Sequence, residues 1–337
     1  MSATLTTLAK RPELLDQVIE LIEKSFNYDS DQSYAVDFAS LMDPSNHANC
    51  HLILKDDRPV AHIGLKLRNL AHRDWTSPIC LLGGIAVTES ERGSGHLDSL
   101  LSHVIDLHGD EVSLFILWSN LTELYQKYSF FEAGGVITTG EKILTKVEGF
   151  RETSFSKLSE QQLEQISKLY HTKILANCLT IERSTSDWQL LKKQKSTKLF
   201  IKEEANQITE YFCLSKGMDL KDTIHESSFF DQIDSPLEEY KFWIPHSPEM
   251  SYPQVHYAGF FKIGSPHQFT KLVNQISEQK IKKLELNSQQ VLFHLEDEEQ
   301  QFKVGHQDFL IGLLGPASFK EFSPFHKRIF IAGLDSI

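Results

Sequence analysis

The sequence predicts an α+β fold with mixed sheets, divided into three domains. Its 337 residues exceed the length of one typical domain. The first third alternates amphipathic helices with short apolar strands, and this pattern restarts after Gly149. A final run of strands and helices follows a proline-rich stretch near residue 250. We therefore expect domains over residues 1–149, 150–250 and 251–337.

The predicted first domain opens with a helix that has Pro12 in its first turn. A β-hairpin follows, with strands over 51–55 and 60–68 and a turn over 56–59. The remaining predicted elements are, in order, a strand over 79–87, a helix over 97–107, a strand over 112–118, a short helix over 121–128 and one or two strands over 130–143.

The predicted second domain resembles a degenerate copy of the first. Residues 198–216 repeat the strand, acidic turn and strand of residues 51–66. An amphipathic helix over 159–174 precedes them, with Ser159 as its N-terminal cap. No glycine-rich loop follows the repeated strands, so we expect this copy to have lost its cofactor site. The proline-rich stretch 234–252 is predicted to be a linker.

The predicted third domain is a small α+β unit. Its elements are a strand over 255–263, a helix over 265–279, strands over 281–287 and 289–297, and a short helix over 306–315. The sequence ends on the apolar residue Ile337 directly after a strand-like run. This ending is unusual because most termini fray into solvent.

Composition argues against several classes of protein. No run of about 18 or more apolar residues suggests a membrane helix, and the first residues lack a secretory signal. The four cysteines form no Cys-x-x-Cys pair, which argues against a zinc site and fits a reducing cytoplasm. A net charge of −12 without a basic stripe disfavours nucleic acid. The same charge would attract a cationic amine, although acidic surfaces more often serve solubility.

The segment that carries chemistry is GGIAVTESERGSGHLDSLL, residues 83–101. A strand runs into a turn that contains Gly93 and Gly95, and a helix begins directly afterwards. Glycines let the backbone approach a phosphate, exposed N–H groups point towards it, and the helix dipole adds about half a positive charge. Taken alone, such a loop is more often an ordinary tight turn.

Two linked motifs resemble those of the GNAT acetyltransferase superfamily. The cofactor-loop pattern R/Q-x-x-G-x-G/A is matched by Arg92 and Gly95, with Leu97 where a small residue is usual. A later segment reads like N-x-x-A-x-x-x-Y-x-x-x-G-F and is represented here by Asn120, Tyr125, Ser129 in place of glycine, and Phe130.

Within that superfamily, residues 85–101 and 114–135 are similar to the enhanced-intracellular-survival acetyltransferases. The resemblance implies tandem GNAT-like domains followed by a C-terminal sterol-carrier-protein-like α+β domain. This order agrees with the three domains predicted above. The acetyl-CoA-binding catalytic domain would be residues 1–149, and the second GNAT-like domain would be residues 150–250.

The resemblance also implies roles for the motif residues. Backbone N–H groups would face the pantetheine between two splayed strands, and one of them would polarise the thioester carbonyl. The glycine loop would hold the pyrophosphate, and Tyr125 would be the general acid that protonates the departing CoA thiolate. The implied cofactor-binding residues are Ile85, Ala86, Val87, Arg92, Gly93, Ser94, Gly95, His96, Leu97 and Asn120.

The resemblance also implies a general base at the end of the chain. In the same relatives the C-terminal carboxylate accepts the amine proton, so the Ile337 carboxylate is the candidate here. Anchoring of the terminus in an apolar groove fits Ile337 equally well. Asp335 would alternatively hold a substrate cation. His96 and His103 are predicted to share a helical face and to be solvated.

The resemblance implies an enzyme that moves acetyl from acetyl-CoA to a primary amine of a small molecule, by direct attack in a ternary complex and without a metal. Two alternatives stay open. Leu97 and Ser129, as departures from the pattern, favour a non-catalytic acyl-CoA-binding protein. A protein or peptide N-acyltransferase also fits, because N-myristoyltransferases share tandem GNAT domains and a C-terminal carboxylate. We expect a cytoplasmic protein without nucleic-acid or membrane partners, and homo-oligomers, including hexamers, occur in the resembling group.

Overall fold

Three β-sheets of nine, six and three strands organise the part of the chain that the structure describes. The computed structural model describes residues 3–30, 32–142, 147–229, 239–246, 255–277, 280–287, 289–296, 300–317 and 328–337. The strands are β1 (Thr4–Thr7), β2 (Cys50–Lys55), β3 (Arg58–His72), β4 (Trp75–Val87), β5 (Leu114–Leu117), β6 (Phe131–Ala133), β7 (Val136–Thr139), β8 (Arg151–Thr153), β9 (Cys178–Ile181), β10 (Lys198–Glu204), β11 (Gln207–Leu214), β12 (Ile224–Ser227), β13 (Phe242–Pro245), β14 (Gly259–Ile263), β15 (Ile281–Leu286), β16 (Gln290–Leu295), β17 (Gln301–Gly305) and β18 (Arg328–Ile329).

Helices cover the faces of these sheets. They are α1 (Leu15–Phe26), α2 (Tyr34–Asp37), α3 (His96–His108), α4 (Thr122–Gln126), α5 (Glu160–Leu169), α6 (Thr185–Leu191), α7 (Pro266–Ile276) and α8 (His306–Leu314). Ser159 caps α5 as predicted, in a reciprocal capping box with Gln162. None of the helices in the described ranges is long and apolar enough to span a membrane.

The predicted first hairpin is confirmed as β2 and β3. Its turn is shorter than expected, since Lys55 already pairs with Arg58. Asp56 and Asp57 have φ values of 53° and 59°, the left-handed conformation that a two-residue hairpin turn requires. The hairpin β10–β11 is built in the same way around Ala205 and Asn206, so the repeated pattern does give two similar hairpins.

The first sheet does not follow the order of the chain. Its central order is β1-β2-β3-β4-β5-β14-β6, and β9 and β18 extend it from the end of β3. β14 lies between β5 and β6, although more than 120 residues separate it from either strand in sequence. Residues predicted to belong to different domains therefore share one sheet, while the boundaries at 149 and 250 stay predictions.

The second sheet has the order β7-β13-β12-β11-β10-β8, and the third has the order β15-β16-β17. β7, from the predicted first domain, pairs with β13 in this second sheet. The prediction of a linker over 234–252 is wrong for Phe242–Pro245, which is the strand β13. Residues 234–238 and 247–252 of that stretch lie outside the described residues. All four cysteines are buried.

Buried histidines make the fold sensitive to acid. Burial lowers the pKa of His51 and His62 to about 4 and that of His225 to about 3. The unfolded chain therefore binds more protons than the folded chain below about pH 6.5. We expect the free energy of unfolding to fall between about pH 6.5 and pH 4, by about 3 kcal/mol for His51 alone.

Denaturant titrations at pH 7, 5 and 4 would measure this loss. The variant His51→Phe keeps an aromatic ring against His103, whose ring centroid lies 5.0 Å from that of His51. It should show a weaker pH dependence than the wild-type chain. An equal loss of stability in both proteins would contradict the role assigned to His51.

Candidate functional site

A cleft opens where β4 and β5 separate. The two parallel strands pair only from Ile79↔Leu114 to Leu81↔Ile116, whereas β4 continues to Val87. A bulge interrupts the pairing of β4 with β3 at the same level, and Gly84 adopts a φ of +57° there. Among the described strands, none pairs with the β5-facing edge of β4 beyond Leu81. The predicted backbone site at Ile85, Ala86 and Val87 lies on this open edge.

The glycine loop lies between the end of β4 and the start of α3. Gly93 and Gly95 both have a φ of +81°, and apart from the chain neighbours of each glycine, no atom of the described residues lies within 4 Å of where a side chain would begin. Gly95 is the N-cap of α3 and has no side-chain cap, so the dipole of a 13-residue helix faces an open loop. Arg92 and Ser94 of this loop are exposed, and so is Asn120. Such a geometry can accept a phosphate group.

Two loop residues point inwards rather than towards the solvent. Leu97 packs against the core beneath α3, so its large side chain has a place away from the loop. The His96 side chain is only 11% exposed, and its Nε2 lies 3.3 Å from Glu91 Oε2. Glu91 also pairs with Lys55 at 2.6 Å, which ties the loop to β2.

His103 packs against the buried ring of His51. The prediction that His96 and His103 are both solvated is therefore wrong.

Tyr125 is buried on α4, with 5% of its surface exposed. Its ring packs against Phe130 and Phe260, at centroid distances of 6.3 and 5.9 Å. Its hydroxyl has no hydrogen-bond partner among the described residues, and burial raises its pKa to about 12. Tyr125 is therefore a protonated donor at neutral pH. Ser129, in place of the usual glycine, adopts a φ of +61°, which explains why glycine suits that position.

Ile337 lies against the wall of the cleft. Its carbonyl carbon and oxygen are 2.4 and 2.6 Å from the point where a Cβ on Gly83 would lie. Gly83 belongs to β4, two residues before Ile85, and only a glycine leaves room for this approach. Ile337 is 8% exposed. The fold thus brings the last residue of the sequence to the strand predicted to bind the thioester.

The alternative proposed for Asp335 is wrong. Its carboxylate accepts hydrogen bonds from Arg183 Nε at 3.0 and 3.1 Å and from Nη2 at 2.6 Å. The side chain is 8% exposed. Because this carboxylate is committed to a buried guanidinium, it is not free to hold a substrate cation.

The sequence analysis missed a cluster of aromatic and acidic residues beside the cleft. Tyr34 packs against Tyr28 and Phe38, and its hydroxyl lies 2.9 Å from where a Cβ on Gly84 would be. Asp37 is 4% exposed, and its carboxyl group faces Tyr28, Ser196 and Lys216, although Oδ2 itself has no hydrogen-bond partner among the described residues. Burial raises the pKa of Asp37. The sequence signal was present, since Tyr34, Asp37 and Phe38 fall within one helical turn.

We call Tyr28, Tyr34, Asp37 and Phe38 the aromatic–acidic cluster. A buried carboxylate among aromatic rings is suited to a cationic ligand, because ring faces and the carboxylate both attract positive charge. The residues in the described ranges include no group of three or more His, Cys, Asp or Glu side chains placed to hold a metal ion.

Comparison with known proteins bears on the first part of the chain and on its fold. Residues 9–133 match the family model described as an acetyltransferase (GNAT) domain. No curated protein sequence matches the chain. Among solved structures, one similar protein is a probable N-acyltransferase from Enterococcus faecalis, a conserved protein of unknown function. It is 12% identical, with a TM-score of 0.58 over 90% of this chain and 85% of that one.

Two further structures are similar over 90% of this chain. A GCN5-related N-acetyltransferase from Anabaena variabilis is 12% identical, with a TM-score of 0.57 and 86% of its own chain covered. Eis1 from Mycobacterium abscessus is 8% identical, with a TM-score of 0.54 and 85% of its chain covered. At these identities the likeness shows the fold. The predicted GNAT resemblance, including the likeness to the enhanced-intracellular-survival type, is confirmed at that level.

Proposed function

We propose that this chain, whose residues 9–133 form a GNAT domain, is an N-acetyltransferase that moves acetyl from acetyl-CoA to a primary amine of a small molecule. The GNAT domain supports acyl transfer from an acyl-CoA as the general reaction. One observation carries the proposal furthest. Ile337 lies on Gly83 at the splayed edge of β4, and the glycine loop that follows this strand opens to solvent.

Acetyl-CoA would occupy the gap between β4 and β5. The N-terminus of α3 and the loop from Arg92 to Leu97 would bind the pyrophosphate, with Asn120 nearby. The unpaired edge from Ile85 to Val87 would supply backbone N–H groups to the pantetheine and to the thioester oxygen. The inward packing of Leu97 removes the main steric objection to this binding mode.

The reaction would proceed by direct attack. The amine nitrogen would form a bond to the thioester carbonyl carbon, and the carbon–sulfur bond would break. The Ile337 carboxylate would accept the proton that the amine loses, because it lies against the wall of the cleft. Tyr125 would donate its proton to the departing thiolate, since its hydroxyl is uncommitted and stays protonated at neutral pH.

The amine would bind through the aromatic–acidic cluster. Tyr34 reaches the backbone at Gly84, so this cluster borders the same strand as Ile337. The Oδ2 of Asp37, which has no hydrogen-bond partner among the described residues, would accept a hydrogen bond from an ammonium group. A polyamine-like or aminoglycoside-like compound has several amines, of which one would bind here while another reacts.

A panel assay tests the proposal. Thiol release from acetyl-CoA would be followed with polyamines, aminoglycosides and a peptide bearing a free N-terminus, alongside calorimetric measurement of CoA binding. We expect turnover with at least one small-molecule amine. CoA binding without turnover of any amine would indicate an acyl-CoA-binding protein. Turnover of the peptide alone would indicate a peptide N-acyltransferase.

Placing a negative charge in the glycine loop should weaken acetyl-CoA binding. The variant Gly95→Asp puts a carboxylate beside the expected pyrophosphate, and we expect the KM for acetyl-CoA to rise by about tenfold or more, with a smaller change in kcat. Gly149→Asp is the matched control. Gly149 has a φ of +82° and equally open surroundings, but it precedes β8 in the second sheet.

The comparison of these two variants isolates the charge from backbone strain. Both glycines have nearly the same left-handed conformation, so both substitutions introduce similar strain. Steady-state kinetics with varied acetyl-CoA would supply the KM values. An equal rise in both variants, or no rise in either, would contradict the placement of the pyrophosphate at this loop.

A further inference from the structure

The last residues of the chain are held by residues from the predicted second domain. β18 pairs in parallel with β9, and the N–H of Phe330 then donates to Leu179 O at 2.9 Å. Gly333 lies so close to His225 that a Cβ would be 2.5 Å from its Nδ1. These contacts fix the path of the tail up to Gly333. Two buried basic residues, Lys216 and Arg183, bind the residues that follow.

Lys216 binds the end of this tail. Its Nζ donates to the carbonyl oxygens of Gly333 and Ser336, at 2.7 and 2.5 Å, and lies 3.2 Å from Ser336 Oγ. The carbonyl of Ser336 belongs to the peptide bond that leads to Ile337. Lys216 is 3% exposed, and its Nζ is 4.6 Å from the ring centroid of Phe38 in the aromatic–acidic cluster. One ammonium group thus touches both the tail and the expected amine site.

Arg183 binds the tail one residue earlier. Its guanidinium donates to both oxygens of Asp335 and, on another edge, to both oxygens of Glu226 at 2.9 and 2.5 Å. The Arg183 side chain is 1% exposed, and the rings of Tyr170 and Trp188 cover it at 4.1 and 4.9 Å. Such a bidentate pair fixes direction as well as position.

Arg183 and Lys216 lie among several acidic groups in this region. Arg183 faces two carboxylates, those of Glu226 and Asp335, and Lys216 supplies the second cation. Asp37 and Asp219 also face Lys216, and burial lowers its pKa to about 7. A buried ion is costly, and apolar residues would fill the same volume at less cost. The burial of these two cations therefore suggests a role beyond packing.

We propose that Lys216 and Arg183 are positioning residues that hold residues 333–336, so that the Ile337 carboxylate lies against β4 in the cleft. This inference rests on the proposed function for its catalytic meaning. Both residues belong to the predicted second domain, which has no glycine loop of its own. That domain would therefore contribute to the active site of the first domain by positioning the tail. Neither residue touches the reacting atoms; each acts through the tail.

The test uses the full chain and the variant Lys216→Met, which keeps the length of the side chain and removes its N–H donors. Digestion with a carboxypeptidase reports tail release without reference to activity. We expect Ile337 to be removed about tenfold faster from Lys216→Met than from the wild type. Ser336→Ala loses only the hydroxyl contacts and should show a smaller increase in the rate of digestion. It provides a second test of the tail contacts if Lys216→Met fails to fold.

Lys280→Met is the matched control, because Lys280 also donates to two backbone carbonyls, those of Asn274 and Ser277, away from the tail. It should be digested like the wild type. In kinetic assays Lys216→Met should lower kcat and leave the KM for acetyl-CoA nearly unchanged. Its defect should be larger for amines of high pKa than for amines that are already neutral at the assay pH, because an ammonium group must lose one proton before it attacks, in addition to the proton that every amine loses on acylation.

The outcomes separate the two proposals. Unchanged digestion of both Lys216→Met and Ser336→Ala would overturn the holding role of Lys216. Faster digestion with unchanged kcat would overturn its positioning role. If the wild type turned over no amine while Lys216→Met was still digested faster, the proposed function would fail and the holding of the tail would stand.

Discussion

Replacing Tyr125 with phenylalanine is expected to lower kcat by about 10²- to 10⁴-fold, with little change in the KM for acetyl-CoA. The ring would keep its contacts with Phe130 and Phe260, so the fold should be retained. Only the hydroxyl is removed, and it makes no hydrogen bond with the described residues. The loss would therefore report the missing proton donor for the CoA thiolate. Thiol release under saturating amine measures it.

Tyr128→Phe provides the control for this experiment. Tyr128 lies three residues further on, and its hydroxyl donates to Asp98 on the surface at 2.6 Å. This variant should keep kcat within a few fold of the wild type. A Tyr125→Phe enzyme with wild-type kcat would refute the assignment of Tyr125 as the general acid, whatever the enzyme class.

Gly83→Ala is expected to lower kcat by about 10²-fold, because it displaces the end of the chain from the cleft. The new Cβ would lie 2.4 Å from the carbonyl carbon of Ile337, well inside an ordinary contact of 3.4–4 Å. Since Gly83 lies within β4, the strand is expected to hold its place and the tail to move. Binding of CoA, which depends on the separate glycine loop, should change little.

Gly305→Ala is a suitable control for Gly83→Ala. Among the described residues, a Cβ on Gly305 would meet only Asp308 Oδ2, at 3.4 Å. Gly305 directly precedes α8, beside the third sheet. Steady-state kinetics and carboxypeptidase digestion of both variants would be compared. If Gly83→Ala kept full activity, the approach of Ile337 to Gly83 would have no part in catalysis.

Local sequence patterns predicted the elements that build the cofactor part of the site. Two apolar runs on either side of a turn predicted the hairpin β2–β3, although with a longer turn than it has, and the two glycines predicted the loop before α3. Gly93 and Gly95 adopt the left-handed conformation that glycine permits, so their function as loop residues could be inferred from residue type alone.

Long-range pairing could not be inferred in the same way. The insertion of β14 between β5 and β6 depends on which strand edges are open after the rest of the sheet has formed. The strand β13 was hidden in a proline-rich stretch, because Pro245 suggested a linker although it lies at the last position of the strand.

The buried charged residues could not be predicted from the sequence either. Arg183 and Lys216 are typical surface residues by type, and nothing in their neighbouring sequence marks them as buried. Only the folded chain brings them to Asp335 and Ser336, more than 100 residues away. The sequence therefore suggested Ile337 as a base through a resemblance, but it gave no physical account of what holds it in place.

The most direct test of a site shared between the first domain and the last residue is to change Ile337 alone. A semisynthetic chain carrying a carboxamide at Ile337 keeps the shape of the carboxylate and cannot accept the amine proton. Its kcat with the best amine of the panel would be compared with that of the same chain made with the free carboxylate. Our account predicts a decrease of about 10²-fold or more at neutral pH, with CoA binding unchanged. Equal kcat values for the two chains would contradict it.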